Sequence, residues 1–338
     1  MPQNDYKNFS RTKVGDSFKR PVFIKAIEEK PTKTGDRYLT FTLLDGESEI
    51  SANYFSKNAA QAAQDGLKAG VIADADIKVA DYKGKKSFTV TDMTPYQGSE
   101  FKESDFIITA PIDADVMFDE IIQTLRSAGD DMGGTVTPVS ELAVMILESF
   151  KKDFTTSSAA KSMHHNFKSG LIYHTYRMVK AAEVMCGVYH ELDKELLISS
   201  AAIHDIGKIW EYKTDPLGSA ELTSNGVLFG HLYLGANLVS QYKDKYPAAH
   251  PDAPAFDPEK VKLLTHIILA HHGIREWGTV ATPAIPEACV LFHIDSIDAK
   301  INSYEKEYAK LRPGDVTQNT PFGFDGKIYK PVYKYSDK

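Results

Sequence analysis

The chain has 338 residues, 42% of them hydrophobic and 25% charged, and 39 Lys and Arg against 46 Asp and Glu give a formal net charge of −7. This is ordinary globular composition, long enough for about two domains. No run approaches the ~18 apolar residues of a membrane span, and the start, Met1 to Ser10, is too polar for a secretory signal, so a membrane protein and a secreted precursor are disfavoured.

Two cysteines, Cys186 and Cys289, each inside an apolar helical pattern, supply neither a disulfide framework nor a cysteine-rich zinc site, and a reducing cytoplasm is expected. The negative charge is local. Residues 101–150 carry two basic against ten acidic residues, whereas 1–100 carry fifteen against fourteen and 151–338 twenty-two against twenty-two. The overall charge therefore does not exclude a polyanionic partner.

The first hundred residues read as short strands: Pro21 to Ile27, Arg37 to Leu44, Glu49 to Phe55, Asp76 to Asp81 and Lys86 to Asp92. Turn signals separate them at Lys33-Thr34-Gly35-Asp36, Asp45-Gly46 and Tyr82-Lys83-Gly84-Lys85, and Ser56 to Leu67 is the one helix expected here. Three strands, a helix and a closing hairpin is the order of a small Greek-key barrel of the oligonucleotide-binding (OB) type, expected over residues 12–97. Residues 98–115 read as a linker.

Helices are expected from there on, at Val116–Ser127, Val139–Phe154, Ser169–Tyr189, Lys194–Tyr212, Phe229–Tyr246, Pro258–His272 and Pro286–Leu311. They make up an all-α domain over 116–312, followed by an irregular tail, 313–338, with Tyr329, Tyr333 and Tyr335 as material for a homo-oligomeric interface or for packing on its own domain. The fold class expected is α+β and multidomain.

None of the eleven histidines precedes residue 164. In the run Ala201-Ala202-Ile203-His204-Asp205-Ile206-Gly207-Lys208, Asp205 falls on an apolar stripe between Ala201 and Ile209, where an unpaired carboxylate is costly and a divalent cation is an economical partner. His174 continues the face of Leu171 and Met178, and His231 begins that of Leu234 and Leu238. His271 and His272 end the face of Leu264 and Ile268, and Asp295 follows Leu291. Taken singly, each suits a satisfied core residue better than a ligand. Five helices that each turn a His or Asp inward suit a metal site built between facing helices. Imidazole and carboxylate without thiolate favour Mn, Fe, Co or Zn over an all-oxygen Mg site. His266, about 140° from His271 around the same helix, reads as structural.

The ordered set His174, His204-Asp205, His231, His271-His272 and Asp295, with Gly170-Leu171 before the first histidine and Gly207-Lys208 after the doublet, resembles the HD superfamily of metal-dependent phosphohydrolases. With a preceding OB-type barrel, and with Lys33-Thr34-Gly35-Asp36-Arg37-Tyr38-Leu39, His164-His165, Phe229-Gly230-His231 and His271-His272-Gly273, the layout is similar to the YhaM-type 3′-to-5′ exoribonucleases. Ser169 before Gly170 and the run Asn166-Phe167-Lys168 depart from that pattern at the entry to the first ligand helix.

The resemblance implies a core metal set of His174, His204, Asp205 and Asp295. Asp205 would bridge to a second ion whose shell is completed by His231 with His271 or His272, His271 being the slightly favoured of the two. It also implies two metals, manganese first, and hydrolysis of single-stranded RNA, with single-stranded DNA as a further substrate, to nucleoside 5′-monophosphates by metal-activated hydroxide.

Lys208, one turn beyond His204, would offset phosphoryl charge, although a solvated cation at a helix end explains it equally well. Arg275, His164 and His165 are candidates for gripping the strand end. In the barrel, Tyr38 and Tyr54 are the expected base-stacking aromatics, Phe41 facing the core, beside Lys33 and Arg37. Two other functions fit less of the chain: a phosphodiesterase for a small nucleotide, and an RNA-binding adaptor whose metal is only structural.

Overall fold

A computed structural model describes residues 8–32, 35–82, 85–129, 135–159 and 167–333. They fall into two compact units, Met1–Ile108 with Tyr304–Lys338, and Thr109–Ser303.

The first unit is built on five strands, β1 (Ser17–Pro31), β2 (Arg37–Leu44), β3 (Glu49–Tyr54), β4 (Val71–Tyr82) and β5 (Lys85–Pro95), with helix α1 (Ala59–Gln64) between β3 and β4. They close into a barrel in the order β1-β2-β3-β5-β4, where β3 and β5 run parallel and the remaining pairs antiparallel. That strand order, with a helix after the third strand, is the OB fold.

Closure depends on the length of β1. Its first half pairs with β4 and its second half with β2, and a register shift between Ile24 and Ala26 bends it from one partner to the other. The alternation of β2 and β3 turns Leu39, Phe41 and Leu43, and Ile50, Ala52 and Tyr54, into one apolar interior. β1 and β4 extend well past the expected segments, because cross-strand pairing sustains them through residues such as Lys19, opposite Asp76, and Asp74, paired on both sides, that local hydropathy reads as breaks.

The turn from β2 to β3 is held by Asp45, whose carboxylate is buried and accepts from the backbone N–H groups of Phe9 (2.6 Å), Glu47 (3.0 Å) and Ser48 (2.6 Å) and from Arg20 Nη1 (3.2 Å). Gly46 follows with φ 91°, and a Cβ there would meet the carbonyl oxygen of Asp105, so only glycine suits the position. Asp45→Ala removes a buried carboxylate that accepts from three backbone N–H groups and from Arg20, and should destabilise the barrel by about 3 kcal/mol. A shift of the urea midpoint corresponding to under 1 kcal/mol would contradict this role.

The C-terminal stretch, expected to be irregular, is tied down at several points. Lys330 Nζ donates to the carbonyls of Tyr308 (2.8 Å) and Leu311 (2.9 Å), and Thr317 and Ile328 exchange hydrogen bonds of 2.8 and 3.0 Å.

The second unit is helical: α2 (Ala114–Ala128), α3 (Val139–Ser149), α4 (Lys151–Thr156), α5 (Gly170–Val188), α6 (Lys194–Ile203), α7 (Lys208–Glu211), α8 (Ser224–Ala249), α9 (Pro258–Ala270) and most of α10 (Pro286–Tyr308). A hairpin that the sequence reading did not anticipate, β6 (Tyr212–Thr214) with β7 (Ala220–Leu222), joins α7 to α8. Every residue of α6 from Glu195 to Ile203 is buried, and the helix packs against α2, α3, α5 and α9. Glu195, buried in that core, accepts from Ser140 N–H (3.1 Å) and from Lys260 Nζ (2.6 Å), which joins α6 to α3 and α9.

Two expected helices are broken. Val139–Phe154 divides at Phe150 (φ −120°, ψ 20°), whose ring is wedged against Trp210 and Tyr242 at 4.8 and 5.9 Å between centroids. Lys194–Tyr212 divides at the His-Asp doublet itself. Among the described residues no helix is long and apolar enough to cross a membrane.

Candidate metal centre

His204 to Gly207 form a tight turn between α6 and α7, not the helix the periodicity predicts. The Ile206, Lys208 and Ile209 N–H groups bond to the carbonyls three residues back at 3.1, 2.9 and 3.3 Å. The turn sits at the end of the fully buried α6, which carries the doublet into the core. Gly207 lets α8 come close: a Cβ there would overlap the carbonyl oxygen of His231 and stand 2.8 Å from the nitrogen of Gly235. Within α8, Gly230 (φ 67°, ψ 160°) breaks the helix, so that His231 opens its second stretch.

The seven sequence-predicted ligands meet in one place. His174 Nε2 lies 3.2 Å from His204 Nε2, 3.5 Å from Asp205 Oδ2 and 3.4 Å from Asp295 Oδ1. His204 Nε2 is 3.4 Å from the same Asp205 Oδ2. The other carboxylate oxygen, Oδ1, faces His231 Nε2 at 3.5 Å and His271 Nε2 at 3.6 Å, and His272 Nε2 is 3.1 Å from His231 Nε2. His174, His204 and Asp295 form one group able to hold a metal ion, and His231, His271 and His272 another; Asp205 lies between, grouped with His204 and His271. His271 is the one beside Asp205, and the half-buried His272 completes the outer flank.

The imidazole tautomers follow from outer partners. Carbonyl oxygens only accept, so the contacts of Nδ1 with Ala201 O (His204, 3.0 Å), Ile268 O (His271, 2.8 Å) and Trp277 O (His272, 3.0 Å) place the proton on Nδ1 in each ring. His174 Nδ1 faces Asp298 Oδ2 and His231 Nδ1 faces Glu211 Oε2, both at 2.8 Å. All five rings thereby turn an Nε2 lone pair to the centre. Lone pairs 3.1 and 3.2 Å apart repel, and Asp205 Oδ1 is buried without a hydrogen-bond partner among the described residues. A divalent cation satisfies both, so these residues fit one.

The carboxylates agree with that fit, whereas His204 favours a proton that a bound cation would have to displace. Burial pushes the Asp205 carboxyl up, but the Lys208 ammonium, whose Nζ donates to Oδ2 at 2.6 Å, and His204 outweigh it and hold Asp205 well below the usual carboxylate range. Asp295 is likewise lowered, by His174 and His204 against its burial. The Lys208 and His204 values are raised because the Asp205 charge overcomes their burial. His271 is pushed down to about 4, chiefly by burial, and is neutral at pH 7.

Two residues the sequence reading missed, Asp298 and Glu211, orient ligands from behind. Asp298 is itself held by Arg177 Nε at 2.6 Å, and the other oxygen of Glu211, Oε1, accepts from the His231 backbone N–H at 3.2 Å. The signal available in sequence was spacing: Asp298 is one turn beyond Asp295, and Glu211 three residues past Lys208. Asp298→Asn should weaken metal affinity roughly 10- to 100-fold with the fold intact, because an amide accepts less strongly from His174 Nδ1–H and loses the Arg177 ion pair. Competition for metal with a fluorescent chelator checks this, and unchanged affinity would remove Asp298 from the site.

The remaining expected site residues are placed differently. Tyr54 is buried in the barrel, on the same inner face as Ile50 and Ala52, and offers no face to a base; this corrects the expectation from its strand. The exposed neighbour is Phe55, which stacks on the half-buried Tyr38 at 5.0 Å with the rings 25° apart. Arg37 is exposed and paired with Glu29 at 2.6 Å. Lys33, His164 and His165 lie outside the described residues. Arg275 is exposed, on the turn that holds His272. His266 accepts from the Ala284 N–H at 3.1 Å, a structural contact.

Five elements of the helical core bring His and Asp residues to this one place, and residues 171–300 match the HD domain family model. The chain as a whole is similar to the 3′-5′ exoribonuclease YhaM of Bacillus licheniformis, with 29% identity over 322 residues, 95% of this chain and 96% of the relative. Among solved structures, a mitochondrial single-stranded DNA-binding protein of S. cerevisiae is 13% identical and covers 26% of this chain and all of its own (TM-score 0.22). The second OB-fold domain of replication protein A from Methanococcus maripaludis is 15% identical and covers 28% of this chain and 98% of its own (TM-score 0.20). The barrel assignment rests on its own strand order.

Proposed function

We propose that this protein is a metal-dependent 3′-to-5′ exoribonuclease that shortens single-stranded RNA, and single-stranded DNA less readily, releasing nucleoside 5′-monophosphates in the cytoplasm. The observation that carries the reading is the division of Asp205: one oxygen faces His174 and His204, the other His231 and His271. Such a carboxylate suits two divalent ions, and a ligand set of five imidazoles and two carboxylates suits manganese, with iron, cobalt or zinc as substitutes. Bound there, the ions supply a nucleophilic water at neutral pH and positive charge against the phosphate oxygens.

The protein's own groups do the rest. Asp298 and Glu211 keep His174 and His231 in register. Lys208 spends one of its three N–H donors on Asp205, and we assign the others to the charge that develops on the scissile phosphate. In the barrel, the exposed Tyr38–Phe55 stack gives an unpaired base a ring face without reading its identity, which suits a strand of any sequence. The relative named as a 3′-5′ exoribonuclease, matched over nearly the whole chain, supports the same polarity.

RNA labelled at its 5′ end, incubated with protein and Mn²⁺, should give a ladder shortening from the 3′ end, and a chelator should abolish it. Intact RNA retained by metal-loaded protein would instead favour an adaptor, and hydrolysis of small nucleotides alone a phosphodiesterase of another kind.

A further inference from the structure

We propose that Trp277 is the seat of the 3′-terminal base at the metal centre, a specificity-determining residue that stacks on the nucleobase while Arg275 meets the adjoining phosphate. The inference rests on the exoribonuclease reading of the site and names what the site selects.

The carbonyl of Trp277 accepts from His272 Nδ1–H at 3.0 Å, so the turn Arg275–Trp277 is tied to a ligand whose Nε2 faces the centre. The Trp277 main chain therefore stands beside the centre on the same short segment that orients His272, and its indole lies against Phe292, three residues before Asp295. For so large an apolar side chain it is unusually open, 59% exposed, and its one ring neighbour is Phe292 at 5.9 Å. Phe292 in turn fills the space over Gly273 (φ 72°), where a Cβ would overlap its ring. The chain thus bends sharply after His272, Phe292 supports the bend, and Gly278 (φ 83°) closes the turn.

A backed, fixed aromatic face open to solvent beside cationic charge is what unpaired bases stack on. Arg275 supplies the charge: it is exposed, and among the described residues it makes no ion pair. An aliphatic docking patch would not need this combination.

The test uses the full-length, metal-loaded protein and two RNA substrates, one with an ordinary 3′ nucleoside and one ending in an abasic ribose. Trp277→Ala should raise KM for the ordinary end roughly 10- to 100-fold with kcat changed by less than about threefold, and Trp277→Phe should recover most of the loss. On the abasic end the wild type and W277A should share the same KM. Because the tether to His272 is a backbone carbonyl, metal content should not change in either variant. An unchanged KM on the ordinary end, or an equal rise on both ends, overturns the proposal while leaving the exoribonuclease reading in place.

A second readout does not depend on turnover. The chain has two tryptophans, and Trp210 is packed against Phe150, so Trp210→Phe leaves Trp277 as the single emitter. Adenosine 5′-monophosphate should quench that emission and ribose 5-phosphate should not. Were the protein inert on RNA, the exoribonuclease reading would fall, and this comparison would still decide the platform: equal response to the two ligands overturns it.

Discussion

Asp205→Asn is expected to reduce RNA turnover by about a thousandfold or more while the protein stays folded and continues to retain RNA. The side chain is almost fully buried, and each of its oxygens serves a different set of imidazoles. An amide has one acceptor and one donor group, so one set of Nε2 lone pairs would face N–H₂ in place of a negatively charged oxygen, and the charge that offsets Lys208 and the proposed cations would be gone. Several kcal/mol of charge stabilisation lost at the reacting phosphate, at about 1.4 kcal/mol per tenfold, gives that factor. Metal content should fall from two ions toward one or none. Single-turnover kinetics with labelled RNA, metal analysis and a filter-retention assay on one preparation measure the three quantities together. Turnover within tenfold of wild type would show that the carboxylate does not bridge.

Gly207→Ala should be nearly as damaging, although it adds one methyl group and removes no ligand. The new Cβ would meet backbone on both sides, the His231 carbonyl and the Gly235 nitrogen, and neither can rotate away. α7 and α8 must separate, and His231, 3.5 Å from Asp205 Oδ1, must move with α8. Overpacking of this kind costs about 3 kcal/mol, and a displacement of about 1 Å at a reacting centre costs on the order of a hundredfold in rate. Urea unfolding and turnover of the G207A protein check the two figures. Wild-type stability would mean that the helices yield at no cost, and a stable protein with lost activity would place the whole effect in the geometry of His231.

Much of the molecule was legible before its structure. The strands of the barrel announce themselves by alternation and turn residues, and β2 was bounded to the residue, because short-range hydropathy dictates such elements. That seven His and Asp residues would gather in one place was also readable, since each is a polar residue on an otherwise apolar helical face. The errors have a common cause in contacts distant in sequence. Phe150 breaks a helix because Trp210 and Tyr242 wait on the far side of a corner. The doublet sits in a turn, not a helix, where α8 packs against Gly207. Tyr54 is the exception, a misread alternation: it is in phase with the inward Ile50 and Ala52 and opposite the buried Leu39, and Phe55, one residue on, takes the exposed place instead.

What the sequence by itself determined is the charge pattern, the two-part architecture and which His and Asp residues face inward as candidate metal ligands, because periodicity and residue chemistry are local properties. Only the tertiary structure decided how Asp205 divides its oxygens, which nitrogen of each imidazole faces inward, and that Asp298, Glu211 and the Trp277 carbonyl stand behind the ligands. The division of Asp205 and the contacts of Asp298 and Glu211 join groups far apart in the chain and are set by the packing of α5, α6, α8, α9 and α10 and by the turn at Gly207; the Nδ1 contacts with Ala201, Ile268 and Trp277 are local but depend on where the helices end.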